Sequence, residues 1–295
     1  MINTFSSTPF KYLPFFNPFI QYLIAKMENY NGLNTTTNRE NKLIISISSS
    51  YENFNTLPIT IYSLLNQKLK PDKIILWLDI STENLRDLPY DITQFIKNGL
   101  EIKFIKDIGI YNKTYYPLQQ YPESIVVTAN ESIYYPKNWL KNLYLSYITH
   151  PQDIHIVNGF KIIFDKKRHK EFSFSKSNIN RDSSGYDIFP ESLSGILYPP
   201  NCFSKEFFRS DIFLKKALNI DDSWIWTMAL IHNKKFRIIN NQNICCYYLN
   251  YYLYFLKNLK NMFHTENTDI YKMSINNLMN NYGQNILNKL QLHNK

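Results

Sequence analysis

Apolar residues recur along this chain at two spacings that take turns. Leu43-Ile44-Ile45-Ser46-Ile47-Ser48 is short, β-branched and mostly apolar, which predicts a strand buried on both faces. From Leu57 to Leu65 the apolar residues stand at helical spacing, and Asn66-Gln67 with Pro71 close that helix. Lys73 to Leu78 predicts a second buried strand, which ends at Asp79. A helix of mixed polar and apolar residues is expected to follow through about Lys97, then Gly99 and a third strand over 100–105. Ile125-Val126-Val127-Thr128-Ala129 predicts a fourth. Strand and helix alternating in this way indicate βαβ units and a mostly parallel sheet flanked by helices, an α/β fold.

Beyond residue 160 the pattern loosens. Residues 165–185 read as a polar, basic loop, with Lys166-Lys167-Arg168-His169-Lys170 as its densest charge cluster. Residues 195–200 look like a strand stopped by Pro199 and Pro200. Asp221-Asp222-Ser223 stands just before an apolar run, 224–231, that predicts a capped, buried helix. Residues 236–239 and 244–248 read as short strands, and from Tyr251 onward the chain turns helical and rich in Asn and Lys. The resulting division is an aromatic-rich extension and linker over 1–41, a main α/β domain over 42–248 and a helical extension over 249–295.

Composition narrows the class without naming a function. Of 295 residues, 44% are hydrophobic and only 19% charged, which supplies a core and argues against a disordered chain. The 33 basic and 24 acidic side chains leave a net charge of +9, which favours anionic partners such as nucleotides. Basic charge interleaved with aromatics is also compatible with nucleic acid, but no recognisable nucleic-acid module occurs, and none is expected as a partner. Three cysteines without a CxxC pair, and six dispersed histidines, make a structural zinc site improbable and fit a reducing compartment. No run of about 18 apolar residues predicts a transmembrane helix. Pro9, Pro14 and Pro18 interrupt the aromatic first 25 residues, which either pack on the rest of the protein or make a peripheral membrane contact.

Ligands of such sheets sit beyond the carboxyl ends of the strands. That rule nominates residues 48–50, Asp79, residues 106–107 and Asn130-Glu131-Ser132. Neither a GxGxxG nor a GxxxxGK[ST] sequence is present, so a dinucleotide fingerprint and a P-loop are both absent.

Four stretches, in order, resemble the glycosyltransferase family 2-like proteins, nucleotide-sugar enzymes of the GT-A fold. They are SLLNQKLKPDKIILWL (63–78), YPESIVVTANESIYYPKNWLKNLY (121–144), SGILYPPNCF (194–203) and IDDSWIWTMAL (220–230), and the resemblance covers about Lys42 to Ile239, roughly two-thirds of the chain. The resemblance implies a GT-A-like, Rossmann-like central sheet. It further implies transfer of a sugar from a nucleotide-diphosphate donor to a glycan or other hydroxyl acceptor, with inversion. Its usual setting would be glycan biosynthesis, such as bacterial cell-surface polysaccharide, in the cytoplasm or at the inner face of the membrane. The alternative is an inactive relative that binds nucleotide or glycan without turnover.

Site residues follow from the same resemblance. Family members end the fourth strand in aspartates that hold Mg²⁺ or Mn²⁺ on the donor diphosphate; here the place reads Asn130-Glu131-Ser132, leaving Glu131 as the one carboxylate for a metal. Asp221 and Asp222 match the position of the catalytic base, with Asp222 preferred; the other reading is that an acidic residue there caps the helix. Ser48 and Ser50 match the nucleotide-base position, and Tyr51 could stack on that base. Asp79 could hold uracil or ribose, or close its strand in an Asx turn. Lys113 matches a basic position that would balance diphosphate charge, with Lys137 and Arg209 as further cations for a metal-free version. Gly195 would allow close approach of acceptor or donor, or of a packing neighbour. Trp224 and Trp226 either offer a sugar a flat apolar face or join the core.

Overall fold

The computed structural model describes residues 31–81, 84–165, 171–175, 180–217, 220–240, 244, 246–249 and 268–293. Its scaffold starts with β1 (Leu43–Ser48), α1 (Leu57–Leu65), β2 (Lys73–Asp79), α2 (Tyr90–Thr93) and β3 (Leu100–Ile105). It continues through α3 (Asn112–Gln120), β4 (Ile125–Ala129), β5 (Ile133–Tyr134), α4 (Trp139–Thr149) and β6 (Ile154–Ile156). Next come β7 (Gly159–Asp165), β8 (Glu171–Ser175), β9 (Ser184–Gly185), β10 (Ile188–Pro190) and β11 (Ile196–Tyr198). α5 (Ser210–Lys216), α6 (Asp221–Ile231), β12 (Phe236–Ile238), β13 (Tyr247–Tyr248) and α7 (Thr268–His293) complete the described elements.

Eight strands form the central sheet in the order β3-β2-β1-β4-β11-β6-β12-β9. The joins from β3 through β4 are parallel, as is β6 with β12. β11 enters antiparallel between β4 and β6, and β9 closes the far edge antiparallel to β12. The protein is thus α/β with a mostly parallel central sheet, as its alternating pattern predicts. β7 forms a small antiparallel sheet with β8 and β10, and β5 pairs with β13.

Strand periodicity sorts the core into layers. Leu43, Ile45 and Ile47 of β1 and Ile125, Val127 and Ala129 of β4 face Leu57, Ile61, Leu64 and Leu65 of α1 and Trp139, Leu140 and Leu143 of α4. On the opposite face, Val126, Ile196 and Tyr198 join a second cluster with Trp224, Trp226 and Met228 of α6 and Ile275, Leu278, Ile286 and Leu290 of α7. The C-terminal helix therefore completes the core of the α/β unit. Burying residues of this size supplies about 1.5–3 kcal/mol each.

Three sequence expectations are corrected. The helix expected through Lys97 is a single α-turn, Tyr90–Thr93, followed by a 3₁₀ stretch at Gln94–Asn98. Pro89 stands at the N-cap with extended geometry (ψ 143°), and residues before it form turns in which Asp87 N–H donates to Asn84 O. The expected basic loop contains β8, whose Phe172 and Phe174 pair with Phe164 and Ile162 of β7. The alternation of Glu171-Phe172-Ser173-Phe174-Ser175 was the signal for it. Of the strand expected over 244–248, β13 occupies only Tyr247–Tyr248. The aromatic extension up to residue 30, the cluster at 166–170 and Cys245 lie outside the described residues. Among the described residues no helix is long and apolar enough to cross a membrane.

The turn that precedes β11 is pressed against α4. Gly195 has φ +103°, and a Cβ placed on it would lie 2.5 Å from Cζ2 of the Trp139 ring. Trp139 Nε1–H donates to Ser194 O at 2.8 Å, so the ring cannot move away without losing that bond. Gly195→Ala is expected to cost about 1–3 kcal/mol, combining left-handed strain with the clash. It should lower the melting temperature by several degrees; an unchanged melting curve would refute this packing role.

Candidate functional site

The site is built where β1, β4 and the start of α3 meet. Ser46 is a polar residue on the inner face of an otherwise apolar strand, fully buried. Its hydroxyl donates to Lys113 O at 2.6 Å and accepts from Trp77 Nε1–H at 2.8 Å. The first turn of α3 is thereby fixed to the sheet, and Lys113 is aimed at the carboxyl end of β4.

The Lys113 ammonium joins three segments that are distant in sequence. Its Nζ donates to Asn130 Oδ1 at 2.9 Å and lies 3.0 Å from Asp221 Oδ2, with both charged side chains 7% exposed. Asn130 in turn donates through Nδ2 to Ser192 O (2.9 Å) and Leu193 O (3.2 Å), and its backbone N–H donates to the Tyr135 hydroxyl (2.8 Å). Ser192 closes the ring: its backbone N–H donates to Asp222 Oδ1 at 2.9 Å, and its hydroxyl lies 3.4 Å from Asp221 Oδ1. Asp221 Oδ2 accepts no hydrogen bond of good geometry, so its compensation is the nearby ammonium charge.

Both carboxylates open α6, where the exposed N–H groups and the helix dipole favour negative charge. Burial nevertheless pushes the Asp222 carboxyl well above its usual range, and the Asp221 charge pushes the same way. Hydrogen bonds from Ser192 and the charge of Lys113 oppose that shift without cancelling it. The nearby Tyr111 and Tyr198 hydroxyls are likewise raised, first by burial and then by the two aspartates, so both stay protonated.

Residues 130–132 do not offer a divalent cation its usual donors. Asn130 Oδ1 accepts from Lys113, and Ser132 Oγ shares a hydrogen bond with Thr56 Oγ1 at 2.9 Å. Glu131 is the single carboxylate; its Oε1 accepts from Asn53 Nδ2 at 2.9 Å, and its backbone O accepts from Thr60 Oγ1 at 2.7 Å. Burial raises the Glu131 carboxyl above its ordinary value, which weakens it as an anionic ligand; Ser49, Lys113 and the Ser50 N–H pull the other way. Its Oε2 is buried and has no hydrogen-bond partner. Hard cations seek several charged oxygens, and this corner already holds an ammonium. Among the described residues, no group of three or more His, Cys, Asp or Glu side chains converges elsewhere. The residues present do not fit Mg²⁺ or Mn²⁺.

The remaining nominated residues fall outside this network or serve packing. Ser48 ends β1 half-buried, and Ser50 is exposed with no capping bond. Tyr51 is 77% exposed, its ring tilted against Phe54. Asp79 accepts from the Ser81 N–H and hydroxyl, the Asx turn that closes its strand. Gly195 approaches Trp139. Trp224 presents no face to a sugar: it is fully buried against Phe213 and Tyr282, with Nε1–H donating to Phe207 O. Trp226 is buried too, bonded to Tyr186 O. Arg209 forks onto Asp211, and Lys137 is exposed; neither pairs with the cluster. Ser46 and Ser192 were missed. Ser46 carried a signal, a hydroxyl inside a buried apolar strand, whereas Ser192 is one of many loop serines. A cleft of 230 Å³ beside α4, reaching Ser146, His150 and Asn240, contains none of these residues.

Comparison of the sequence with protein-family models and with curated proteins finds no match. Solved structures do show likeness in chain path. The crystal structure of S. aureus TarS 1–349 has 13% identity over 83% of this chain and 73% of that one, with a TM-score of 0.43. Its complex with UDP has 16% identity over 60% and 55%, with a TM-score of 0.37. GalNAc-T7 with UDP, GalNAc and Mn²⁺ has 11% identity over 75% and 51%, with a TM-score of 0.44. The chain spans about half to three-quarters of the length of those structures, at identities too low to equate side chains of the site.

Asp222 supplies a test of this electrostatic arrangement. A carboxyl raised by folding stabilises the native state below its unfolded pKa of about 3.9, and that contribution is lost as pH rises through the folded value. Asp222→Asn keeps the acceptor for Ser192 N–H but cannot ionise. Melting temperatures measured from acid to neutral pH should diverge in favour of the variant as pH rises. A difference that stays constant across the range would contradict the raised carboxyl.

Proposed function

We propose that this protein transfers a glycosyl group from a nucleoside-diphosphate sugar to a hydroxyl acceptor, with inversion at the anomeric carbon. One observation carries the reading: Asn130 at the carboxyl end of β4 and the Asp221-Asp222 pair at the start of α6, 91 residues apart, are joined through the single ammonium of Lys113. A donor lying across the ends of β1 and β4 would have its diphosphate at this junction and its sugar toward Asp222. Anionic ligands suit a chain of net charge +9.

The transfer needs one base and one stabilised leaving group. The acceptor oxygen bonds to the anomeric carbon while the bond from that carbon to the β-phosphate oxygen breaks. The electron pair of the broken bond stays on the diphosphate, and the acceptor proton passes to a carboxylate, assigned to Asp222. A carboxyl that burial raises above its ordinary value is a stronger base than a surface aspartate. The Ser192 N–H bond holds its Oδ1 and fixes its orientation. Ser48 at the end of β1, and Ser50 and Tyr51 on the segment that follows, are proposed for the nucleoside.

A second reading has its own support. Asp221 is held by Lys113, and Asp222 is tied to the 192–194 turn, as expected of a protein that binds nucleotide sugars without turnover. Donor screening separates the two. UDP- or GDP-sugars should raise the melting temperature of the wild-type chain, and nucleoside diphosphate should be released when a suitable acceptor, or water, takes the sugar. Asp222→Asn should lower kcat by about 10²–10⁴-fold while donor-induced stabilisation persists. Donor stabilisation without release establishes the silent binder, and failure of every nucleotide sugar to stabilise the fold removes both readings.

A further inference from the structure

We infer that the Lys113 ammonium, and not a divalent cation, is the positive charge that meets the donor diphosphate; the identity of that ligand rests on the sugar-transfer function proposed above. A lysine ammonium carries three N–H donors. One goes to Asn130 Oδ1 and one faces Asp221 Oδ2, while the third has no partner among the described residues. The side chain is held rather than free: Ser46 fixes its backbone, and Asn130 and Asp221 fix its head group. A charge fixed before the ligand arrives needs no reorganisation as negative charge grows on the leaving diphosphate.

The surroundings exclude a second cation on electrostatic grounds. A divalent ion bound at Asn130 would sit within contact distance of the ammonium and be repelled by it. Of the carboxylates that might offset that repulsion, Asp221 faces Lys113 itself, and Glu131 has Oε1 on Asn53, only Oε2 unpartnered, and a carboxyl that burial raises toward its neutral form. Asn130 adds to the assignment through its own geometry. Its Nδ2 is bonded to Ser192 O and Leu193 O, which orients Oδ1 toward Lys113 and leaves the side chain acting as a lysine clamp. An aspartate there would have no N–H to donate to those carbonyls and would be repelled by them. Asparagine at residue 130 is therefore the residue a lysine-based site requires.

In the transfer step the bond between anomeric carbon and β-phosphate oxygen breaks with its electron pair going to that oxygen, next to the third N–H of Lys113. Asp221 balances the ammonium when no donor is present, and when one is bound the same ammonium offsets part of the negative charge of the diphosphate.

The test uses the full chain and calorimetric titration with UDP and with GDP, each in chelator and again with Mn²⁺. The wild-type protein should bind one of them equally in both buffers, within about two-fold. Lys113→Met alone would strand Asp221, so the variant carries Asp221→Asn as well. This pair should weaken the diphosphate at least about ten-fold, the loss of a charge-assisted contact, and leave the affinity for the corresponding nucleoside unchanged. Equal losses for nucleoside and nucleoside diphosphate would show that Lys113 only supports the fold, and would overturn the inference. Binding that appears only with Mn²⁺ would also overturn it while leaving the sugar-transfer reading in place. If neither nucleotide binds in any buffer, the sugar-transfer reading itself fails.

Discussion

A buried lysine must find its negative charge, and in this protein that requirement ties the site to the sheet. Lys113 is 6% exposed. Its ammonium reaches one carboxylate, Asp221, and one amide oxygen, Asn130, each from a different element. Removing one member of such a pair leaves a charge in low dielectric, a cost of about 3–5 kcal/mol. The start of α3, the end of β4 and the start of α6 are therefore held in register by one group. Ser46 extends the same tie to β1 and, through Trp77, to β2.

Around that tie the architecture is economical. The central parallel strands are buried on both faces: one face serves α1 and α4, while on the other β1 and β2 meet α3, and β4 and β11 meet α6 and α7. Polar groups at the carboxyl ends are then the places where the sheet meets something other than its own helices. Turn 192–194 lies over that end, bonded to Asn130 through its carbonyls and to Asp222 through the Ser192 amide. Gly195 lets the same turn press on Trp139. One short segment thus couples the Lys113–Asn130 corner, the Asp221-Asp222 pair and the packing of α4.

The chemistry at Asn130-Glu131-Ser132 follows from charge balance. A cluster of aspartates needs a cation to be stable, and a metal supplies it. Here two of the three positions are neutral, each hydrogen-bonded inside the protein, and the cation is a lysine. Neutral side chains at 130 and 132 and burial of the lysine are two sides of one arrangement, since a metal beside an ammonium would be unbalanced.

The alternating apolar pattern was enough to place the first three strands of the sheet, the fourth, α1 and α6, because each is a local run whose burial on both faces shows as continuous hydrophobicity. The strand-end rule singled out residues 130–132, and the family resemblance pointed to Lys113 and the Asp221-Asp222 pair. Where these readings erred, the deciding force was not local. Glu171–Ser175 is a strand because it pairs with β7, and Trp224 is core because α7 and Phe213 close over it. No reading of single positions could have shown that Lys113, Asn130 and Asp221 share one charge. Sequence determined which segments are apolar and in what order they occur; only the tertiary structure decided which polar groups meet, because charge compensation acts across space and is blind to separation along the chain.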